Sequence, residues 1–259
     1  MPPVAGVSII VPTYREAANL SPLVERIVAA LQPTGITFEI IIVDDDSADG
    51  TADIAARLAE SHPVRLITRK GERGLSGAVL AGFRSARFDL FVVIDADLQH
   101  PPESIPAMLH ALNDPSVDFV IATRYAQSGG VDSDWPWWRK TGSRLATLLA
   151  RPLAPLSDPM SGYFALSRKT WQRAEPFVNP IGYKIALELV VKVRCRSVRE
   201  ISIAFATRQA GESKAGLGVM IHFLRHLWRL YRFRFPLASW CALALAVTLS
   251  AILVRTIIR

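Results

Sequence analysis

The chain has 259 residues, half of them hydrophobic, and a formal charge of +7 at pH 7, enough for one large domain and an appendage. Two cysteines, Cys195 and Cys241, exclude a disulfide framework or a zinc cluster and fit a reducing compartment. The basic balance excludes little by itself, but its placement disfavours nucleic acid: the cations gather beside an apolar run instead of spreading along a face with exposed aromatics.

In chain order, Val7 to Val11 is a β-branched run ended by Pro12. No positive region precedes it, so it reads as a first strand, not a signal peptide. Leu20, Leu23, Ile27 and Leu31 mark one face of a helix over 17–31. Phe38 to Val43 predicts a second strand, followed at once by Asp44, Asp45 and Asp46, a turn and a helix over 51–60. Val64 to Thr68 is a third strand, and a loop over 71–74 leads to a small-residue helix ending near Arg84. Phe91 to Ile94 is a fourth strand running into Asp95, Asp97 and Gln99. A helix over 103–112 and a strand over 119–122 follow, the latter leading to Arg124. Strands apolar on both faces, alternating with helices, predict an α/β doubly wound parallel sheet.

Beyond Arg124 the pattern changes. Trp135, Trp137 and Trp138 lead Arg139 and Lys140 into an apolar-basic helix to about Arg151. Amphipathic rings beside cations suit a membrane interface, although a core cluster under a capped helix would read the same way. Strands over 161–167 and 198–206 and a helix over 185–193 come next, then a polar loop over 208–216. Residues 219–235 predict a helix carrying Arg225, Arg229, Arg232 and Arg234 among aromatics. From Leu237 to Val254 no residue is charged. With its flanks this run reaches the ~20 residues of a bilayer crossing, and the upstream arginines place the large domain in the cytoplasm. The organisation expected is a catalytic domain over 1–216 with an interface helix at about 135–151, a basic amphipathic interface helix over 217–235 and a transmembrane helix over 236–258.

The chemistry is concentrated where strands leave the sheet. In open α/β sheets that edge binds ligands. Asp95, Asp97 and Gln99 are hard oxygen donors that suit Mg²⁺ or Mn²⁺ shared with substrate phosphates. A lone acid pair is more often a solvated loop or a helix cap, but acids repeat here at successive strand ends. Arg124, Arg208 and Lys214 supply cations for the remaining phosphate oxygens. No Walker-A lysine loop or dinucleotide fingerprint is present.

Pro12 to Glu16, Asp44 to Thr51, Asp95 to Glu103, Asp158-Pro159-Met160-Ser161-Gly162 and Arg208 to Lys214 resemble the inverting GT-A glycosyltransferases of family 2. More narrowly, they resemble the polyprenyl (dolichyl) phosphate mannosyltransferases. The resemblance covers about residues 5–235. It implies a GT-A, Rossmann-like fold, a nucleotide-sugar donor (GDP-mannose foremost), a polyprenyl phosphate acceptor and a divalent metal. By motif, Pro12, Tyr14, Glu16, Val43 and Asp45 would hold the nucleoside. Asp95, Asp97 and Gln99 would hold the metal, with Ala96 against the donor. Arg208 and Lys214 would close over the donor phosphates, and Arg124, Arg139 and Ser143 would bind the acceptor phosphate. Asp97 and Arg124 are the residues expected to carry catalysis, and Asp158 is structural or sugar-contacting. Such proteins often have asparagine where this chain has Arg15 and Asp46, and two or four membrane helices where this chain has room for one. UDP-glucose or a UDP-amino sugar stays open as donor. A catalytically inactive, membrane-tethered binding module is the alternative of a different class, although such a module would be expected to lose Asp95 or Asp97.

Overall fold

The computed structural model describes residues 6–124, 137–154, 156–179, 182–195, 197–204 and 217–237. These residues fold as β1 (Val7–Thr13), α1 (Ala17–Leu31), β2 (Phe38–Asp44), α2 (Thr51–Ala59), β3 (Val64–Thr68), α3 (Leu75–Ser85), β4 (Leu90–Val93), α4 (Ile105–Leu112), β5 (Phe119–Thr123), α5 (Trp137–Ala150), β6 (Phe164–Ser167), α6 (Arg168–Ala174), α7 (Ile185–Val193), β7 (Val198–Ser202) and α8 (Leu217–Arg234).

The strands form one sheet of order β3-β2-β1-β4-β6-β5-β7. All pairings are parallel except those of β6, which lies antiparallel between β4 and β5. The expected parallel sheet is therefore interrupted by one reversed strand. The chain winds from β1 outward to β3, then crosses back to β4 on the other side of β1. That reversal is the topological switch point, where α/β sheets open a crevice at their carboxyl edge.

Alternation along the strands sends side chains to two cores. Ile10, Ile41, Val43, Phe91 and Val93 pack under α3, α6, α7 and α8. Val7, Ile9, Val11, Ile40, Ile42 and Val92 pack under α1, α2 and α4. Each such side chain contributes about 1.5–3 kcal/mol on burial, and the central strands are covered on both faces as near-continuous apolar runs require. On the first face, α3 lies so close to β1 that a Cβ on Gly82 would come within 2.5 Å of Ile10.

The first strand does not stop at Pro12. It continues to Thr13, with Pro12 opposite Val43 of β2. Proline is tolerated because Ile10, two residues earlier on the same edge, makes the last contact toward β4, accepting from Ile94 N–H at 3.1 Å. Beyond that point β1 and β4 diverge, and a missing donor costs nothing. The helix over 168–174 was not anticipated; Ser167 caps it, its Oγ accepting from Thr170 N–H at 3.1 Å.

Helix α8 packs on α7 through Leu227 and Leu230, both buried, and Tyr231 donates to the Leu149 carbonyl of α5 at 2.8 Å. Its other side exposes Met220, Ile221, Leu224 and Trp228, while α5 exposes Leu145 and Leu148. Among the described residues no helix is long and apolar enough to cross a membrane. The expected span over 236–258 lies outside them from residue 238 onward.

Candidate functional site

A cleft of about 350 Å³ opens at the switch point, lined by Pro12, Thr13, Tyr14 and Glu16 after β1 and by Asp45 after β2. Arg73, Gly74, Leu75 and Ala78 come from the start of α3, Asp95, Ala96 and Asp97 from the end of β4, and Tyr183 from the approach to α7. Seven expected site residues thus meet in one place: Pro12, Tyr14, Glu16, Asp45, Asp95, Ala96 and Asp97.

The loops that carry them are cross-braced. Asp45 N–H bonds the Thr13 carbonyl at 3.0 Å, and Arg15 N–H bonds Ser47 Oγ at 2.8 Å. Buried Asp44 accepts from both the N–H and the hydroxyl of Ser47, at 2.8 and 2.6 Å. Arg15, Asp46 and Leu98 all adopt left-handed backbone, with φ of 58°, 55° and 61°. Each follows a different strand at this edge, and each turns its chain sharply there. Strain concentrated this way is typical of ligand sites.

Asp45 does more than line the cleft. Its Oδ1 accepts from Arg69 Nη1 at 2.8 Å and its Oδ2 from Gly74 N–H at 2.7 Å. Burial pushes its pKa up, against the pull of Gly74 N–H and Arg69. It therefore anchors the loop that presents Arg73, whose guanidinium lies 4.9 Å from the centre of the Tyr14 ring. Arg73 was missed in the sequence; a single cation in a glycine-flanked loop gives no periodic or spacing signal.

Other expected residues lie elsewhere. Val43 is fully buried in the core and does not line the cleft, because its register on β2 turns it under the sheet. Gln99 also stands outside the lining; left-handed Leu98 redirects the chain after Asp97. Arg124 is separated from β4 by the inserted β6. It grips Asp158, with Nε to Oδ2 at 2.7 Å and Nη2 to Oδ1 at 3.0 Å, and Asp158 is wholly buried. Arg208 and Lys214 lie outside the described residues, as do the side chains of Arg139 and Ser143.

The acid pair has the character of a metal seat. Asp95 is partly exposed to the cleft, whereas Asp97 is only 8% exposed, its Oδ1 accepting from Gln99 N–H at 3.2 Å. Asp97 is thus more embedded than a strand-end loop position implies. Opposite Asp95, Gly162 leaves a space that a Cβ would fill, 2.8 Å from Oδ2. Two carboxylates on one tight loop, facing a cleft with room beside them, fit a hard divalent cation that completes its shell with phosphate oxygens and water. Among the described residues no group of three or more His, Cys, Asp or Glu forms a closed protein cage. His100, also missed, is buried behind the pair, its Nδ1 3.7 Å from Asp95 Oδ2 and its ring against Tyr163. Burial pushes its pKa down, opposed by Asp95 and Asp97.

The family model described as Glycosyl transferase family 2 matches residues 8–171. The chain belongs to that family. It is a glycosyltransferase, and curated relatives place it near one group. It is 46% identical over 235 residues to the Dolichol-phosphate mannosyltransferase of Mycosarcoma maydis, covering 88% of this chain and 80% of that one. It is 43% identical over 236 residues to the protein of the same name from Saccharomyces cerevisiae, covering 88% of each. A third, from Pyrococcus furiosus, is 44% identical over 230 residues, covering 87% of this chain and 64% of the longer relative. Among solved structures, mannosyl-3-phosphoglycerate synthase from Rubrobacter xylanophilus superposes with a TM-score of 0.68 at 23% identity, over 89% of this chain and 76% of that one. Glucosyl-3-phosphoglycerate synthase from Mycobacterium tuberculosis, in complex with Mn²⁺ and UDP, superposes with a TM-score of 0.62 at 18% identity, over 89% and 80%. These two likenesses concern the fold, a GT-A, Rossmann-like sheet.

Proposed function

We propose that this family 2 member transfers mannose from GDP-mannose to a polyprenyl (dolichyl) monophosphate, inverting the anomeric centre. The observation that carries the reading is the meeting of Asp95 and Asp97 with Pro12, Tyr14, Glu16 and Asp45 around one cleft at the switch point. It stands in a chain 43% and 46% identical to enzymes named for dolichol phosphate and mannose.

Tyr14, Pro12 and Arg73 offer a ring, an apolar wall and a cation to a nucleoside and its first phosphate. Asp95 and Asp97 would hold Mg²⁺ or Mn²⁺, which when bound neutralises the departing diphosphate. The acceptor is itself an anion: a phosphate monoester has its second pKa near 6, so no strong general base is needed. An acceptor phosphate oxygen attacks the anomeric carbon in line, and the diphosphate leaves with the bonding electrons. One displacement gives inversion. The protein's work is placement and charge.

Exposed Leu145 and Leu148 on α5, and Met220, Ile221, Leu224 and Trp228 on α8 beside Arg225 and Arg229, support a membrane-facing side where the lipid arrives. Attachment through residues 236–258, with the catalytic domain cytoplasmic, belongs to the same proposal.

The test is transfer from GDP-mannose, UDP-glucose and a UDP-amino sugar to polyprenyl phosphate in detergent with Mg²⁺ or Mn²⁺. The product is identified by mass and its anomer by NMR. A β-linked mannosyl product is expected; a UDP-sugar product, or an α-anomer, would overturn the reading.

A further inference from the structure

Tyr183 closes one wall of the cleft, and the next residue, Lys184, points its ammonium into the protein. Its Nζ donates to the Met160 carbonyl at 2.9 Å. Met160 belongs to the segment 158–162 that ties the two halves of the site together. At one end Asp158 holds Arg124, and at the other Gly162 faces Asp95. Lys184 therefore stands between the arginine expected to meet the acceptor and the carboxylate expected to meet the donor's metal.

The charges around it do not close. Arg124 is matched by both oxygens of Asp158. Lys184 makes no ion pair among the described residues, and its one hydrogen bond goes to a neutral carbonyl. Lysine seldom turns its ammonium inward without an anionic partner. It is also the residue before α7, whose first N–H groups add positive potential at the same point and favour an anion there. Burial pushes its pKa down, with Arg124 acting the same way, while Asp95 and Asp158 pull it back. Those acids are near enough to be felt yet do not bond it.

We propose that Lys184 binds the acceptor phosphate, on the side of the Arg124–Asp158 pair that faces Asp95. This rests on the transfer reading above and deepens it. Bond changes are those of the displacement: the phosphate oxygen joins the anomeric carbon and the diphosphate oxygen leaves it with the electron pair. Lys184 gives up no proton. It holds a dianion in place against the negative diphosphate it must approach, which is where a fixed cation is worth most.

Lys184→Gln separates this role from a structural one, because the amide keeps a donor for the Met160 carbonyl and loses the charge. With farnesyl phosphate as acceptor, the expected result is a KM for farnesyl phosphate raised about 10- to 100-fold, the worth of a charged hydrogen bond. The KM for nucleotide sugar and the melting temperature stay near wild type, and Lys184→Arg recovers most of the acceptor affinity. An unchanged acceptor KM, or equal rises in both KM values with a lower melting temperature, would overturn the proposal in favour of a staple. If wild type transfers no sugar to any polyprenyl phosphate, the transfer reading fails first. Calorimetric titration of farnesyl phosphate into wild type and Lys184→Gln then decides the lysine separately: weaker binding to the variant supports it, and equal or absent binding to both refutes it.

Discussion

Gly162 and Asp95 face each other so closely that a Cβ on the glycine would lie 2.8 Å from one carboxylate oxygen and 3.3 Å from the other. The glycine is not there for its backbone freedom, since its φ is not in the left-handed region. It is there for space. Gly162→Ala should displace the Asp95 carboxylate while leaving the fold intact. A small misplacement of a positioning group costs about 10- to 100-fold in rate. We expect a loss of that order in transfer, with more Mn²⁺ needed for half-maximal rate. Titration of activity against Mn²⁺ checks it; an unchanged metal requirement would mean Asp95 is not a ligand.

The Arg124–Asp158 pair is nearly closed to solvent, the side chains being 16% and 0% exposed. Breaking such a pair leaves a charge uncompensated and costs about 3–5 kcal/mol. Asp158→Ala should lower the urea midpoint accordingly. Arg124→Met should restore part of that loss when added to Asp158→Ala, because the cation that has lost its buried carboxylate is then removed as well. A double variant less stable than Asp158→Ala alone would show that Arg124 has support independent of Asp158.

The sheet and most of the cleft were legible because both depend on local pattern. Runs such as Ile40 to Val43 and Phe91 to Ile94 can only be buried strands, and acids at their ends can only lie at the carboxyl edge. What stayed hidden depends on strand order. Nothing in Phe164–Ser167 announces that it runs antiparallel between β4 and β5, and that insertion moves Arg124 one strand away from Asp95. Val43 enters the expected site through the family motif alone; two residues before Asp45 it is still within β2, and its side chain is packed in the core. Lys184 carries no motif. It is brought near Asp95 and Asp158, far off in sequence, which no spacing rule encodes, whereas His100 is close to Asp95 and Asp97 in sequence and only its burial behind them was hidden.

Arg15 and Asp46 occupy left-handed backbone, and both are exposed. For residues other than glycine that conformation costs about 1–2 kcal/mol, and asparagine and aspartate visit it several-fold more often than arginine does. The asparagine expected at both positions from the family pattern thus has a backbone reason. Arg15→Asn should raise stability by roughly 0.5–1 kcal/mol, or about 2–4 °C in melting temperature per kcal/mol in a protein this size. Asp46→Asn should change little, since both residues tolerate the turn. Thermal denaturation of both variants checks the pair. A destabilised Arg15→Asn would show that the guanidinium stacked 5.3 Å from the Tyr14 ring centre outweighs the backbone strain.

Glu39 is a buried acid near the amino end of β2, away from the cleft. Burial alone would raise its pKa, but Arg87 N–H, the Ser8 hydroxyl and Arg65 together hold it below the ordinary value of 4.5. Ser8 Oγ and Arg87 N–H reach one oxygen at 2.7 Å each, and Arg65 Nε the other at 2.9 Å. A carboxylate whose folded pKa is depressed stabilises the protein above its unfolded pKa, and that contribution is lost as pH falls through the folded value. Glu39→Gln should therefore be less stable than wild type at neutral pH. The gap should begin to narrow below about pH 4.5 and close once the wild-type carboxyl is protonated. Melting temperatures of both proteins from pH 7 down to the acid limit of reversible folding measure it. A gap that stays constant across that range would assign the loss to packing and not to charge.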